Sequence, residues 1–393
     1  MALRSTAEKG HPTREEVELI WFPTGGGKTE AYLGLAAFSI FLRYLRDPDD
    51  QGVHVLMRYT LRLLTAQQFQ RASGLICAME ILRQEKMPEV NNPISIGIWV
   101  GGKTSPNTRN QAQNNLRDLQ DPYKNTQNKF ILGRCPWCGA SMGRVDVDDS
   151  DSEIGGYRKV GNTVQLHCPD RNCDFRRGLP IHVIDEDIYE EKPDVVIGTV
   201  DKFAMLAWRP RARALFGLDE NGNRTSSPPG LIIQDELHLI SGPLGSMVGL
   251  YESLIEELCT DRRHDSAIPP KIVSSTATIR RYEEQIEGLY ARDDVTLFPP
   301  PGLEEGDSFF SSYARNEDGE LLPGKKYVGV HAPGLPSLQT TQVRTFSSLL
   351  MAPSPFNEEE RDPWWTLLTF YNSLRELGGA RSLFQSDIPE HID

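Results

Sequence analysis

The chain has 393 residues, 38% hydrophobic and 25% charged, with a net charge of −13. That length suits two or three domains, and the composition excludes a disordered or fibrous chain. The longest apolar run, residues 31–42, is shorter than the roughly 20 residues a bilayer span needs. The N-terminal residues Arg4, Glu8, Lys9, Arg14, Glu15 and Glu16 precede no signal-peptide core, so a soluble, cytoplasmic protein without a membrane partner is expected. The net charge argues against coating nucleic acid through bulk positive potential. Charge is nevertheless zoned: residues 53–71 carry Arg58, Arg62 and Arg71 and no acid, whereas residues 145–157 carry Asp146, Asp148, Asp149, Asp151 and Glu153 and no base.

After a leader at 1–16, β-branched apolar runs recur at 17–22, 53–59, 94–100, 194–199, 231–234 and 271–275. Near-continuous apolar character predicts strands covered on both faces. Residues 29–46 carry Leu33, Ala36, Ala37, Ile40, Phe41 and Tyr44 at helical core spacing, and residues 66–83 read as a second helix. The alternation predicts an α/β fold built on a parallel, doubly wound sheet. Residues 118–187 interrupt it and hold four of the six cysteines, so the sheet domain is expected in two parts, 17–117 and 188–298, around an insertion. Residues 299–360 read as a linker or accessory segment, and 361–393 as the start of a second domain.

Directly after the first expected strand comes Pro23-Thr24-Gly25-Gly26-Gly27-Lys28-Thr29, at the head of a helix. Consecutive glycines let backbone N–H groups converge on phosphate oxygens, and the helix N-terminus adds partial positive charge. In such a loop Lys28 reaches the β/γ-phosphates and the Thr29 hydroxyl ligates Mg²⁺, which makes ATP and Mg²⁺ the expected ligands of residues 24–29. The full loop pattern begins with glycine, where this chain has Phe22. The run 231–234 ends in Asp235-Glu236-Leu237-His238. A carboxylate at an adjacent strand tip places Asp235 near the metal, and Glu236 beside it is the candidate to polarise an attacking water. His238, three residues beyond Asp235, is the candidate to couple this site to another.

Cys135-Pro136-Trp137-Cys138 and Cys168-Pro169-Asp170-Arg171-Asn172-Cys173 form C-x2-C and C-x4-C knuckles. Four thiolates from two knuckles suit a closed tetrahedral Zn²⁺ site, while an intracellular chain disfavours disulfides. His167 is a minor alternative ligand. Cys77 and Cys259 read as core residues.

The order of these pieces resembles the first RecA-like domain of superfamily-2 helicases. PTGGGKT is similar to motif I, DELH to a DEAH-type motif II, and Ser274-Ser275-Thr276-Ala277-Thr278 to motif III. That resemblance implies a RecA-like P-loop NTPase fold, with Ser275, Thr276 and Thr278 coupling the nucleotide and nucleic-acid sites. Arg58, Thr60, Arg62 and Gln67 fall where motif Ia would be, Gly101-Gly102 at motif Ib, and Thr199 and Asp201 in a stretch similar to motif Ic. In the family these line the nucleic-acid backbone, a task that positions without reading bases. The longer strings WFPTGGGKTEAYLGLAAF, LMRYTLRLLTAQQFQRA, GTVDKFAMLAW and IIQDELHLISGPLGSMVGLYE resemble the helicase subunit of the DISARM anti-phage defence system. The resemblance implies an ATP-driven subunit acting on DNA, single-stranded or at a duplex end or junction, beside a protein partner.

No arginine-finger pattern of the type Q-x-x-G-R-x-x-R occurs between Pro300 and Asp393. The expectation is therefore a fragment or split product that binds ATP and turns it over poorly alone, since such a finger contributes on the order of 10³ or more in rate. Two other readings stand beside it: a hydrolysis-deficient module that binds DNA or a partner, and a helicase directed at RNA.

Overall fold

The computed structural model describes all residues except 1, 23–25, 61, 148–150, 264–265, 277–279, 301, 304–306, 308–311 and 393, and omits the side chains of 62–64, 145–147 and 151–153. The chain divides into two compact units, residues 1–312 and 313–393. The strands are β1 (Val17–Trp21), β2 (Val55–Tyr59), β3 (Ile96–Trp99), β4 (Gly143–Val147), β5 (Asp151–Gly155), β6 (Tyr157–Val160), β7 (Thr163–Leu166), β8 (Ile181–His182), β9 (Val195–Thr199), β10 (Leu231–Gln234), β11 (Lys271–Thr276) and β12 (Val295–Phe298). The helices of the first unit are α1 (Ala2–Ala7), α2 (Lys28–Arg46), α3 (Arg62–Lys86), α4 (Arg109–Gln120), α5 (Asp185–Glu191), α6 (Val200–Phe203), α7 (Gly242–Cys259) and α8 (Tyr282–Tyr290). Those of the second unit are α9 (Leu338–Met351), α10 (Glu358–Arg361), α11 (Leu374–Gln385) and α12 (Asp387–Ile392).

Eight strands form one sheet in the order β12-β1-β11-β10-β2-β9-β3-β8. Every pairing in it is parallel. All six strands read from sequence are present, and β8 and β12 extend the two edges. Alternation within β2 explains why its whole run is apolar or buried. Val55, Met57 and Tyr59 face a core shared with α2 and α3, while Leu56 faces a second core shared with α7 and α8. The sheet is thus covered on both sides, as a parallel sheet requires.

The segment between α4 and β8 carries two antiparallel hairpins, β4–β5 and β6–β7, around the cysteine knuckles. It packs on the α2–α3 side: Cys135, Cys168, Cys173, Leu166 and Phe175 share a core with Phe69, Ile76 and Cys77. In the second unit α9 packs with α11 and α12, with Phe346 and Phe384 stacked at 5.5 Å. Residues from both sides of position 360 therefore build it. Among the described residues no helix is long and apolar enough to cross a membrane.

Candidate nucleotide site and nucleic-acid edge

Because the sheet is parallel, the loops after its strands emerge along one edge, where ligands of such folds bind. The ends of β1, β11 and β10 are neighbours there: Trp21 pairs with Thr276, and Ser274 with Gln234. Gly27 caps α2 with a left-handed φ of 87°, a conformation glycine adopts without strain. Lys28 Nζ donates to the Phe22 carbonyl at 3.3 Å. Gly26 is exposed and Gly27, Lys28 and Thr29 are half-buried; Thr24 and Gly25 lie outside the described residues.

Asp235 is buried and held from several sides. Tyr32 donates to its Oδ2 at 2.9 Å, Ser275 donates to Oδ1, and the Glu236 N–H reaches Oδ1 at 2.9 Å. The same Tyr32 hydroxyl lies 3.2 Å from Thr29 Oγ1 and 3.2 Å from the Tyr59 hydroxyl. Burial, followed by the Asp235 charge, pushes the Tyr32 phenol above its ordinary pKa, so it remains a hydrogen-bonding group. Thr29 and Asp235 therefore converge on one atom, and an alcohol with a carboxylate is the oxygen donor set a hard divalent cation takes.

Glu236 sits in the left-handed region with φ 50°, a strained setting for a non-glycine residue. Its carboxylate is half-buried and lies 3.4 Å from His238 Nδ1, which is 3.2 Å from Thr276 Oγ1. His238 thus bridges the carboxylate loop and the end of β11. Thr278 lies outside the described residues. Gln285 of α8 was not singled out from sequence, yet its amide donates to the carbonyls of Leu237 and Ile240 and steadies this loop.

The other half of the edge lies after β2, β9 and β3. Thr60 follows β2 and is half-buried, Gln67 is exposed on α3, and Asp201 is exposed on α6. Arg62 heads α3, and its side chain lies outside the described ones. The Gly101 carbonyl accepts N–H bonds from Thr104 and Ser105 at 2.8 and 3.3 Å, and Lys129 Nζ donates to the Gly102 carbonyl at 3.2 Å.

Two expectations need correction. Arg58 does not line a nucleic-acid path: it is 1% exposed, and its guanidinium donates to both Glu252 oxygens at 2.8 and 2.7 Å. It points into the α7 side of the sheet, 5.9 Å from the Phe203 ring centroid. Burial favours its neutral form, but Glu252 outweighs that and holds the pKa above the ordinary value. Thr199 is likewise fully buried at the end of β9, which leaves its side chain no surface to present. Lys202 was missed. It donates to the Val100 carbonyl at 3.0 Å and to Asp185 Oδ2 at 2.7 Å, tying the loop after β9 to that after β3.

The four knuckle cysteines are free, and their sulfurs all lie within 4.8 Å of one another. Each knuckle turns on its own backbone: Gly139 N–H reaches the Cys135 carbonyl at 2.9 Å, and Arg176 N–H the Cys173 carbonyl at 3.1 Å. Trp137 Nε1 donates to Asp174 at 2.8 Å and joins the two. Burial pushes the Cys173 thiol up, and a bound Zn²⁺ would hold the sulfurs as thiolates. The geometry fits Zn²⁺, and His167 is outside the cluster. The first knuckle docks on α3: a Cβ at Gly74 would meet the Pro136 carbonyl at 3.3 Å, and Gln70 donates to the Arg134 carbonyl at 3.4 Å.

A parallel sheet with a glycine-rich loop after one strand, and a carboxylate pair after the strand two places away, defines a RecA-like P-loop fold. Among known proteins, the chain is 37% identical over 96% of its length to the DISARM protein DrmA of Bacillus paralicheniformis, and spans 37% of that protein's length. The sequence resemblance to a DISARM protein therefore runs along nearly the whole chain. Among solved structures, the DUF1998 helicase MrfA aligns with a TM-score of 0.45 at 13% identity, over 100% of this chain and 39% of that one. The Mycobacterium smegmatis helicase Lhr, bound to ssDNA and AMP-PNP, aligns with a TM-score of 0.39 at 15% identity, over 76% of this chain and 25% of that one. No family model matches the sequence.

Proposed function

We propose that the chain is the nucleotide-binding half of an ATP-dependent DNA helicase or translocase, acting in the cytoplasm in anti-phage defence with a protein partner. The observation that carries this reading is the convergence of Lys28, Thr29, Asp235, Glu236, Ser275 and His238 where β1, β11 and β10 end. Lys28 is placed to leave the Phe22 carbonyl for the β/γ-phosphates. Thr29 and Asp235 would hold Mg²⁺, which when bound neutralises phosphate charge. Glu236 is the acceptor for a proton from the attacking water, and a half-buried carboxylate beside an imidazole suits that task. His238 passes the state of this loop to Thr276 at the end of β11. Gln67, the Gly101–Gly102 turn and Asp201, with Arg62 at the head of α3, would line the polynucleotide path, and the cysteine cluster would hold structural Zn²⁺.

ATP hydrolysis with and without single-stranded DNA tests the reading, with Lys28→Ala as the comparison. A weak, DNA-stimulated turnover that disappears in Lys28→Ala is the expected result. Stimulation by RNA alone, or turnover indifferent to Lys28, would sink it.

A further inference from the structure

Tyr32 lies one turn into α2, is fully buried, and has three hydroxyl or carboxylate neighbours around one oxygen. A phenol has one proton to give and two lone pairs to receive. Asp235 is the neighbour that can only accept when ionised, and it is also the nearest at 2.9 Å. The Tyr32 hydroxyl is the donor toward both Asp235 Oδ2, the nearer, and Thr29 Oγ1, and the Tyr59 hydroxyl is placed to donate to the Tyr32 oxygen. Thr29 and Asp235 are thereby both tied to one oxygen. The Asp235 carboxylate is clamped on both oxygens, by Tyr32 on one and Ser275 on the other.

We propose that Tyr32 is a positioning residue for the divalent cation of the nucleotide site, orienting the Thr29 hydroxyl and the Asp235 carboxylate together. Tyr59 ties that arrangement to β2, whose next residue is Thr60 on the nucleic-acid half of the edge. The inference rests on the nucleotide-site reading above and adds a residue that neither loop contains. Tyr32 and Tyr59 keep their rings on substitution to phenylalanine, so the packing they provide is retained.

The test is binding of a fluorescent ATP analogue to the full chain as Mg²⁺ is titrated. For Tyr32→Phe the Mg²⁺ midpoint rises by about three- to tenfold, the loss expected for one or two hydrogen bonds, while affinity for the analogue without Mg²⁺ stays within about twofold. Tyr59→Phe moves the same midpoint by about twofold, since it removes a donor to Tyr32 and leaves the Asp235 bond in place. A general packing defect would shift both affinities alike, and that result, or an unchanged midpoint in a folded Tyr32→Phe, overturns the proposal. Should Tyr32→Phe lose its folded circular-dichroism signature, an unchanged midpoint in Tyr59→Phe does so instead. Failure of the unsubstituted chain to bind the analogue in either condition would overturn the nucleotide-site reading itself, and the inference with it.

Discussion

Two halves of a single sheet edge are built differently. After β1, β11 and β10, the polar side chains are already tied to one another: Thr29, Tyr32, Asp235 and Ser275 form one connected network. After β2, β9 and β3, backbone turns predominate, and the buried hydroxyls of Thr60, Thr199 and Ser105 have no side-chain or backbone partner among the described residues. The first half has its donors and acceptors arranged in advance, a condition for recognising a small ion with strict geometry. The second offers turn amides and small side chains, which suit contact with a repeating backbone. The Arg58–Glu252 pair lies beneath this second half and joins its first strand to α7, the helix that follows the carboxylate loop.

Four perturbations would break or sharpen that contrast. The largest is Glu252→Ala, which leaves the Arg58 guanidinium buried and unpaired, and should cost about 3–5 kcal/mol in denaturant unfolding. Replacing both residues with apolar ones of similar size should recover most of that loss. Next is removal of the metal with a strong chelator. One zinc per chain should be released, with nucleic-acid stimulation falling well before Mg²⁺-dependent nucleotide binding, because the knuckle braces α3 and not the network around Asp235. If both fall together, the two halves are not separately supported. Gly74→Leu comes third: it presses on the Pro136 carbonyl and should cost about 1–3 kcal/mol with the same selective loss.

The smallest effect concerns pH. Asp185, which pairs with Lys202, is raised to about 6 by burial, against the pull of Lys202 and of Arg209, with Glu186 adding to the rise. The folded chain thus holds this proton more tightly than the unfolded one. Its contribution to stability is fully present below about pH 4 and is lost as pH rises to about 6. Asp185→Asn should remove about one proton's worth of slope from the stability curve in that interval.

Much of this was legible in the sequence because six strands fall in apolar runs rich in β-branched residues and the glycine-rich sequence follows one of them. The edge strand β8 escaped because two residues show no period, and β12, no shorter than β3 or β10, is half-buried throughout rather than covered on both faces. Arg58 was misread for a physical reason that the sequence already contained. It interrupts an apolar run whose strand lies between two others, so its charge had to be met from inside. Glu252 gave no such warning, as a glutamate on a helix is ordinarily solvated. Tyr32 sits at i+3 from Thr29, a spacing that places both on one helix face, but its partners Tyr59 and Asp235 come from distant strands.

The position of β1 has a consequence for how the protein is made. It lies between β11 and β12, and its last residue pairs with Thr276. At ribosomal rates of roughly 5–20 residues per second, β1 waits about 12 to 50 s for those partners to be synthesised. Through that interval Thr29 and Tyr32 have neither Asp235 nor Ser275 to meet, so the network at this edge closes only once the far side of the domain has emerged.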